Sequence, residues 1–327
     1  SLDSSANDLI YNYFDGSTWT RTILDSDVQS FMDATIRLDS ADFPGVAWHE
    51  YTAPTSSAIS YKKYNGSSWS GEYVIDGGMT AQPGGVGFDF MNAGPDVDYP
   101  RVLSCHASDG TDVVEYIWDG SDFGSASTVV ADGGGSNCTK IDMIVNADDT
   151  ISVITSGGYN INYLTHNGTS WAITDADIYT GINSRKMEMM HDGNGDPRFV
   201  FHDATSGNLY YGAKEEGSWS TSTIAALPGF NGRPSIAIQD YAGAEIEWIG
   251  YFDTETNGAE QVVYKYSSND GSTWTTGTIP LVLSYSGGNW SAIYWDDNAP
   301  SDTMQLLIST HTGSSPDFNR YELTGLP

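Results

Sequence analysis

Basic residues are scarce in this chain of 327 residues, where 13 Lys and Arg stand against 43 Asp and Glu for a formal net charge of −30. Phosphate backbones and anionic lipid headgroups repel such a surface, which excludes nucleic acid and acidic membranes as natural partners. Long apolar runs are absent too, and no stretch approaches the roughly 18 residues that a spanning helix needs. Sustained helical periodicity is missing. So are a phosphate-binding Gly loop, a G-x-S-x-G elbow and a zinc-binding helix motif. The two cysteines, Cys105 and Cys138, lack metal-site spacing; they are either one disulfide of an exported protein or two buried thiols. The start, Ser1-Leu2-Asp3-Ser4-Ser5, has neither a basic n-region nor an apolar h-region, which leaves open how an exported chain would leave the cell.

What is abundant is Gly, Tyr and Trp, at 36, 20 and 10 residues. Aromatic content of 13% excludes disorder. These residues recur in order. A turn Gly is followed by an aromatic in Gly16–Trp19, Gly66–Trp69, Gly120–Phe123, Gly168–Trp171, Gly217–Trp219 and Gly271–Trp274, at successive intervals of 50, 54, 48, 48 and 55 residues. Tyr11, Tyr61, Tyr163, Tyr211 and Tyr266 each precede the Trp by eight positions, and Tyr116 precedes Phe123 by seven.

Each period reads as four short strands, for example Lys186–His191, Arg198–His202, Asn208–Ala213 and Trp219–Ile224, with Asp-Gly or Asn-Gly hairpin turns. A period near 50 with four strands predicts an all-β, six-bladed β-propeller of four-stranded blades in a single domain, 1–327. Seven blades is the alternative. Each Trp and Tyr should pack between blades. The inner pair recurs six times, near Phe31–Tyr51, Gly87–His106, Thr139–Thr155, Lys186–His202, Pro234–Tyr251 and Ser291–Thr310. The N-terminus supplies only an outer hairpin (7–24) and the C-terminus an inner pair (289–311). Joined, they predict a composite closing blade. Residues 316–327 then hold a surplus strand around Tyr321, which would cap that blade or pair with a second molecule.

The stretch from Gly195-Asp-Pro through Gly207-Asn-Leu-Tyr-Tyr211 to Gly217-Ser-Trp219 resembles the G-x-P … G-x-L-x-Y … G-x-x-W repeats of exported bacterial and archaeal β-propellers. Ser267-Ser-Asn-Asp-Gly-Ser-Thr-Trp274 resembles the Asp-box hairpin of sialidase-like propellers, with Asn269 in place of the Asp. This resemblance implies fold rather than activity. A sialidase would further need three arginines on the substrate carboxylate, a Tyr/Glu pair and an acid. None of Arg21, Arg37, Arg101, Arg185, Arg198, Arg233 and Arg320 stands in the F/Y-R-I-P setting of that family.

Polar residues are expected where second strands emerge: His49, Glu50, His106, His202, Asp203, Asp253 and His311. Imidazole beside carboxylate suits ligand or metal binding and acid–base work, although solvent-facing strand ends favour polar residues anyway. Trp290, after Gly287-Gly288, is placed in a connection, free to stack on a sugar face. Trp118, Trp248 and Trp295 are read as packing between blades. Asp192, Asn194 and Asp196 have the alternating oxygens of a calcium loop without its distal Glu; a plain turn, like that at Asp39–Asp42, is the simpler reading. Four sequons mark candidate glycosylation at Asn65, Asn137, Asn167 and Asn289.

The leading expectation is a non-catalytic, extracellular or particle-surface propeller binding glycans or another surface ligand, with no cofactor other than calcium. The alternatives are a structural subunit of a fibre, coat or virion, and a polysaccharide lyase or glycoside hydrolase.

Overall fold

The computed structural model describes the chain apart from residues 1, 4–7, 16, 27–29, 54–55, 80–83, 107–111, 131–137, 158, 182–183, 228–233, 242–243, 254–260, 280–289, 296–303, 313–314 and 324–327. The described residues are strand and turn almost throughout, with one short 3-10 turn at Gly94–Asp96. Two compact units divide at Gly181.

The first unit, Ser1–Gly181, opens with a three-stranded sheet of β1 (Leu2–Asp3), β2 (Asp8–Phe14) and β3 (Trp19–Asp25). Three four-stranded antiparallel sheets follow. The first has β4 (Ser30–Leu38), β5 (Pro44–Ala53), β6 (Ser56–Lys63) and β7 (Tyr73–Met79). The next has β8 (Val86–Phe90), β9 (Pro100–His106), β10 (Asp112–Ile117) and β11 (Ser127–Val130). The third has β12 (Cys138–Val145), β13 (Ile151–Gly157), β14 (Asn160–His166) and β15 (Trp171–Thr180).

The second unit, Ile182–Pro327, holds two more such sheets. They are β16 (Ser184–His191), β17 (Pro197–Asp203), β18 (Asn208–Glu215) and β19 (Ser218–Ala226), then β20 (Ser235–Tyr241), β21 (Ala244–Asp253), β22 (Gln261–Ser267) and β23 (Thr275–Ile279). A three-stranded sheet of β24 (Trp290–Trp295), β25 (Met304–Thr312) and β26 (Ser315–Leu323) ends it. All six inner pairs read from the repeat are present as β4–β5, β8–β9, β12–β13, β16–β17, β20–β21 and β24–β25. First strands of successive sheets pack on one another, β4 on β8 and β8 on β12 in one unit, β16 on β20 and β20 on β24 in the other.

Three repeat tyrosines pack against an aromatic of the next sheet as their spacing predicts, whereas Tyr266 packs on Trp248 of its own sheet and Trp19 on Phe14 of its own hairpin. Tyr11 meets Trp69 of the next sheet at 5.0 Å, Tyr61 meets Phe123 at 5.5 Å, and Tyr211 meets Trp274 at 5.1 Å, all edge-on. Edge-to-face rings add about 0.5–1.5 kcal/mol per pair beyond the area they bury. Trp118 of the β8–β11 sheet contacts Tyr73 of the sheet before it. Trp248 is fully buried and donates to Gln239.

Four of the outer hairpins share one turn. The side-chain oxygen of Asp15, Asn65, Asp119 and Asn167 accepts from the main-chain N–H groups two and three residues on, and from the hydroxyl two residues on. The Gly after it adopts φ of +90° at Gly66, +100° at Gly120 and +89° at Gly168, a region that glycine enters at no steric cost.

One expectation is corrected by the strand pairing. The place beside β25 belongs to β26, with Tyr321 opposite Leu306, and the N-terminal hairpin pairs with β1 instead. Strand β26 follows β25 after only two residues, Gly313 and Ser314, so its loop closes at far lower entropic cost than a strand brought from the other end of the chain. The C-terminal strand is therefore the third strand of its sheet rather than a surplus one.

Candidate functional site

The seam between the N-terminal hairpin and the β4–β7 sheet gathers ionisable side chains from three elements. Asp25 ends β3, Glu50 lies in β5 and Glu72 immediately precedes β7; their carboxylate oxygens lie within 4.8 Å of one another. Ser60 donates to Glu72 at 2.7 Å. The Lys62 ammonium spans the seam to the Leu24 carbonyl and sits 6.0 Å from the buried Trp48 ring. Trp69 and Tyr11 are half-buried in the same seam. Burial pushes the Glu50 carboxyl up to about 7, and Asp25 and Glu72 push it further in that direction. Three close carboxylates cannot all ionise cheaply, so the trio holds a proton or a counter-charge at neutral pH. Its oxygens are the ligand type of a hard cation such as calcium, and equally acceptors for sugar hydroxyls.

Other charged residues line the first strands of this unit. Arg37 of β4 pairs with Asp142 of β12 at 2.9 Å, and Lys140 of β12 lies 3.8 Å from Asp33 of β4. Asp89 of β8, whose carboxyl burial pushes up, accepts from the Val145 amide.

The residues expected at second-strand ends fall as follows. His49 and Glu50 stand inside β5, which runs on to Ala53, so they are not at the strand end. His49 is 1% exposed and makes no well-formed hydrogen bond; burial and the Lys140 charge hold its pKa down at about 4, and the nearby Gly84 main chain offsets this only in part. It is a neutral core imidazole. His202 and Asp203 close β17 and are buried; Asp203 accepts from Thr205 and Ser206 and so builds the turn into β18. Asp253 closes β21 and is buried. His106 ends β9 opposite Asp112, and His311 lies in β25 opposite Pro316. Trp290 begins β24 opposite Ser309, in a strand rather than a connection, because the ladder with β25 extends to it. Only Glu50 of this set joins the acidic trio.

At the β16–β17 turn, Asp192 accepts from Asn194 and Asp196 through one oxygen and pairs with Arg198 at 2.7 Å through the other. Asp39 builds the same turn for Ala41 and Phe43 and pairs with Lys63. The calcium-like spacing at Asp192, Asn194 and Asp196 thus forms a turn whose first carboxylate is already engaged. Arg198, almost fully buried, also binds Glu247 of β21 at 3.0 Å, and the Tyr211 hydroxyl donates to the same carboxylate oxygen. Arg101 likewise binds Glu115 at 3.1 Å, whose second oxygen accepts from Trp171.

Cys105 and Cys138 form a disulfide joining β9 to β12. Asn65 and Asn167 are exposed at hairpin tips, while Asn137 and Asn289 lie outside the described residues.

Sequence reasoning missed a further device. Asp98 accepts from the Ser40 amide at 2.8 Å, Asp149 from Asn92 and Ala93 at 2.7 and 2.9 Å, and Glu245 from Gly193. Each carboxylate reaches from an inner turn or its following strand to the inner turn of the preceding sheet. Asp98 and Asp149 hold φ of +64° and +62°, the left-handed turn position that Asp tolerates.

No family model and no curated protein matches the chain. Solved structures do. The Hadza microbial sialidase Hz136 aligns at TM-score 0.59 and 11% identity over 92% of this chain and 67% of that one. The fucose-specific lectin from Aleuria aurantia aligns at TM-score 0.54 and 13% identity over 90% of this chain and 96% of the lectin. A mutant Trypanosoma rangeli sialidase aligns at TM-score 0.57 and 10% identity over 99% of this chain and 58% of that one. At such identities the likeness is one of fold: the chain is an all-β protein of the β-propeller kind, shared by lectins and sialidases.

Proposed function

We propose that the chain is a single, ring-closed β-propeller, of six blades rather than seven, that acts as a non-catalytic extracellular or surface module binding glycans. The observation that carries this reading is the carboxylate trio of half-buried Asp25 and Glu50 with exposed Glu72, which also holds Ser60, in a seam that Lys62 crosses and into which the Trp69 ring packs. Carboxylates accept from adjacent sugar hydroxyls, lysine donates to them, and an aromatic supports the apolar sugar face. Propellers of this fold include a fucose-specific lectin and sialidases, which supports a sugar ligand. Against catalysis on acidic sugars, Arg101 and Arg198 are committed to internal ion pairs and are not free to grip a substrate carboxylate. The disulfide supports an oxidising location, and the exposed Asn65 and Asn167 would carry glycans in a glycosylating host. Calcium, if bound, belongs at the trio. A panel of immobilised glycans, run beside fluorogenic sialoside and polysaccharide substrates, tests the reading. Saturable glycan binding without turnover supports it; turnover, or no retention by any glycan, refutes it.

A further inference from the structure

Five hydrogen bonds gather around the Asn167 side-chain amide and the Gly168 N–H at the tip of the β14–β15 hairpin. Oδ1 of Asn167 accepts from the Thr169 amide at 3.0 Å, the Thr169 hydroxyl at 2.8 Å, the Ser170 amide at 3.0 Å and the Ser170 hydroxyl at 3.5 Å. The main-chain N–H of Gly168 donates to Nδ1 of His166 at 3.2 Å. Every one of these bonds to the Asn167 amide uses its oxygen. We propose that Asn167 is a self-modifying residue, its side-chain amide attacked by the Gly168 nitrogen with His166 as base and the Thr169 and Ser170 donors as an oxyanion cradle.

The step balances. His166 Nδ1 takes the Gly168 proton as the Gly168 N–Asn167 Cγ bond forms and the carbonyl electron pair moves to Oδ1. Donors already aimed at that oxygen stabilise the negative charge it gains. Collapse re-forms the carbonyl and expels Nδ2, which takes the proton back from the imidazolium and leaves as ammonia. Water then opens the cyclic imide at either carbonyl, giving aspartate or isoaspartate and one further negative charge. Burial and the Arg101 charge lower the His166 pKa while Glu115 opposes them, so the ring is neutral at pH 7 and its Nδ1 lone pair is available. The aspartate product is tolerated, because Asp15 and Asp119 fill the same turn position and accept from the same two amides and first hydroxyl.

The chain carries its own controls. Asn65-Gly66 has the same two amides and first hydroxyl, from Ser67 and Ser68, without the longer second hydroxyl bond, and Tyr64 where Asn167 has His166. Asn194-Gly195 is equally exposed in a turn that Asp192 builds, with Asp192 rather than Asn194 supplying the acceptor oxygen. The purified full chain is incubated at neutral pH, and each site is followed by peptide mass spectrometry for amide-to-acid conversion, with isoaspartyl labelling and ammonia release. Asn167 should react fastest, Asn65 next and Asn194 slowest, with Asn167 ahead of Asn194 by about tenfold or more, the scale of a positioned base. His166→Gln should bring Asn167 down to the rate of Asn65 without changing Asn65. Thr169→Val, which keeps both cradle amides and loses one hydroxyl, should slow Asn167 on an intact fold. Asn167 reacting no faster than Asn194, or unaffected by both substitutions, would overturn the proposal.

Discussion

Replacing Arg198 with Met tests the buried charge network most severely. Arg198 is 2% exposed and neutralises Asp192 at 2.7 Å and Glu247 at 3.0 Å, linking the β16–β19 sheet to β21 of the next. Met matches the aliphatic bulk, so packing changes little, but two carboxylates lose their counter-charge. Breaking a buried pair by removing one partner costs about 3–5 kcal/mol. Part of that loss should be recoverable with acid. Burial already holds the Glu247 carboxyl above its ordinary pKa, and removing the guanidinium raises it further. A carboxyl whose folded pKa lies above its unfolded one destabilises the fold at high pH and is relieved as pH falls through the folded value. Urea melts of wild type and variant at several pH values measure this. The variant's deficit should be largest near pH 8 and shrink towards pH 5. A deficit below about 1 kcal/mol, the scale of an exposed ion pair, would refute the reasoning, as would a deficit that does not change with pH.

Four other perturbations follow. Reducing the Cys105–Cys138 disulfide, which spans 33 residues, should cost about 4 kcal/mol in the same melts by loop-closure entropy; an unchanged midpoint would count against it. Asp149→Ala removes two inter-sheet hydrogen bonds to Asn92 and Ala93 and should cost about 1–3 kcal/mol, whereas replacing exposed Asp122 should cost far less. Glu50, raised to about 7, stabilises the fold when protonated, so thermal stability should fall as pH rises through 7, and Glu50→Gln should flatten that fall. Ser67→Ala removes one hydroxyl donor from the Asn65 turn and should cost about 0.5–1.5 kcal/mol by thermal denaturation.

The sheets were legible in the sequence because their signals are local. A Gly at positive φ, an Asx oxygen capping two amides and a Trp three residues later all lie within one hairpin, so Asn65–Trp69 and Asn167–Trp171 can be read from the sequence directly. The pairing of β26 with β25 is not legible in the repeat, because both Tyr11 and Tyr321 satisfy it and only loop length separates them. The acidic trio was not legible. Asp25, Glu50 and Glu72 belong to no motif and meet because Tyr11 and Trp69 close the seam that brings their strands together. The inter-sheet carboxylates escaped notice for a related reason: the Met91–Tyr99 loop is longer than the Asp39–Phe43 and Asp192–Asp196 turns, which puts Asp98 out of register with its equivalents. His49 misled because a repeat position fixes depth in a strand but not solvent access.

The claim that the seam binds sugar is tested most directly by calorimetric titration of a glycan retained on the panel against wild type and Glu72→Ala. Glu72 is exposed but accepts from the buried Ser60 hydroxyl, so its removal should lower stability by about 1–3 kcal/mol and leave the protein folded at the titration temperature, while weakening the glycan by about tenfold, the loss of a charge-assisted hydrogen bond. Equal affinity for both proteins, with the fold intact in each, would contradict the assignment of the seam as the site.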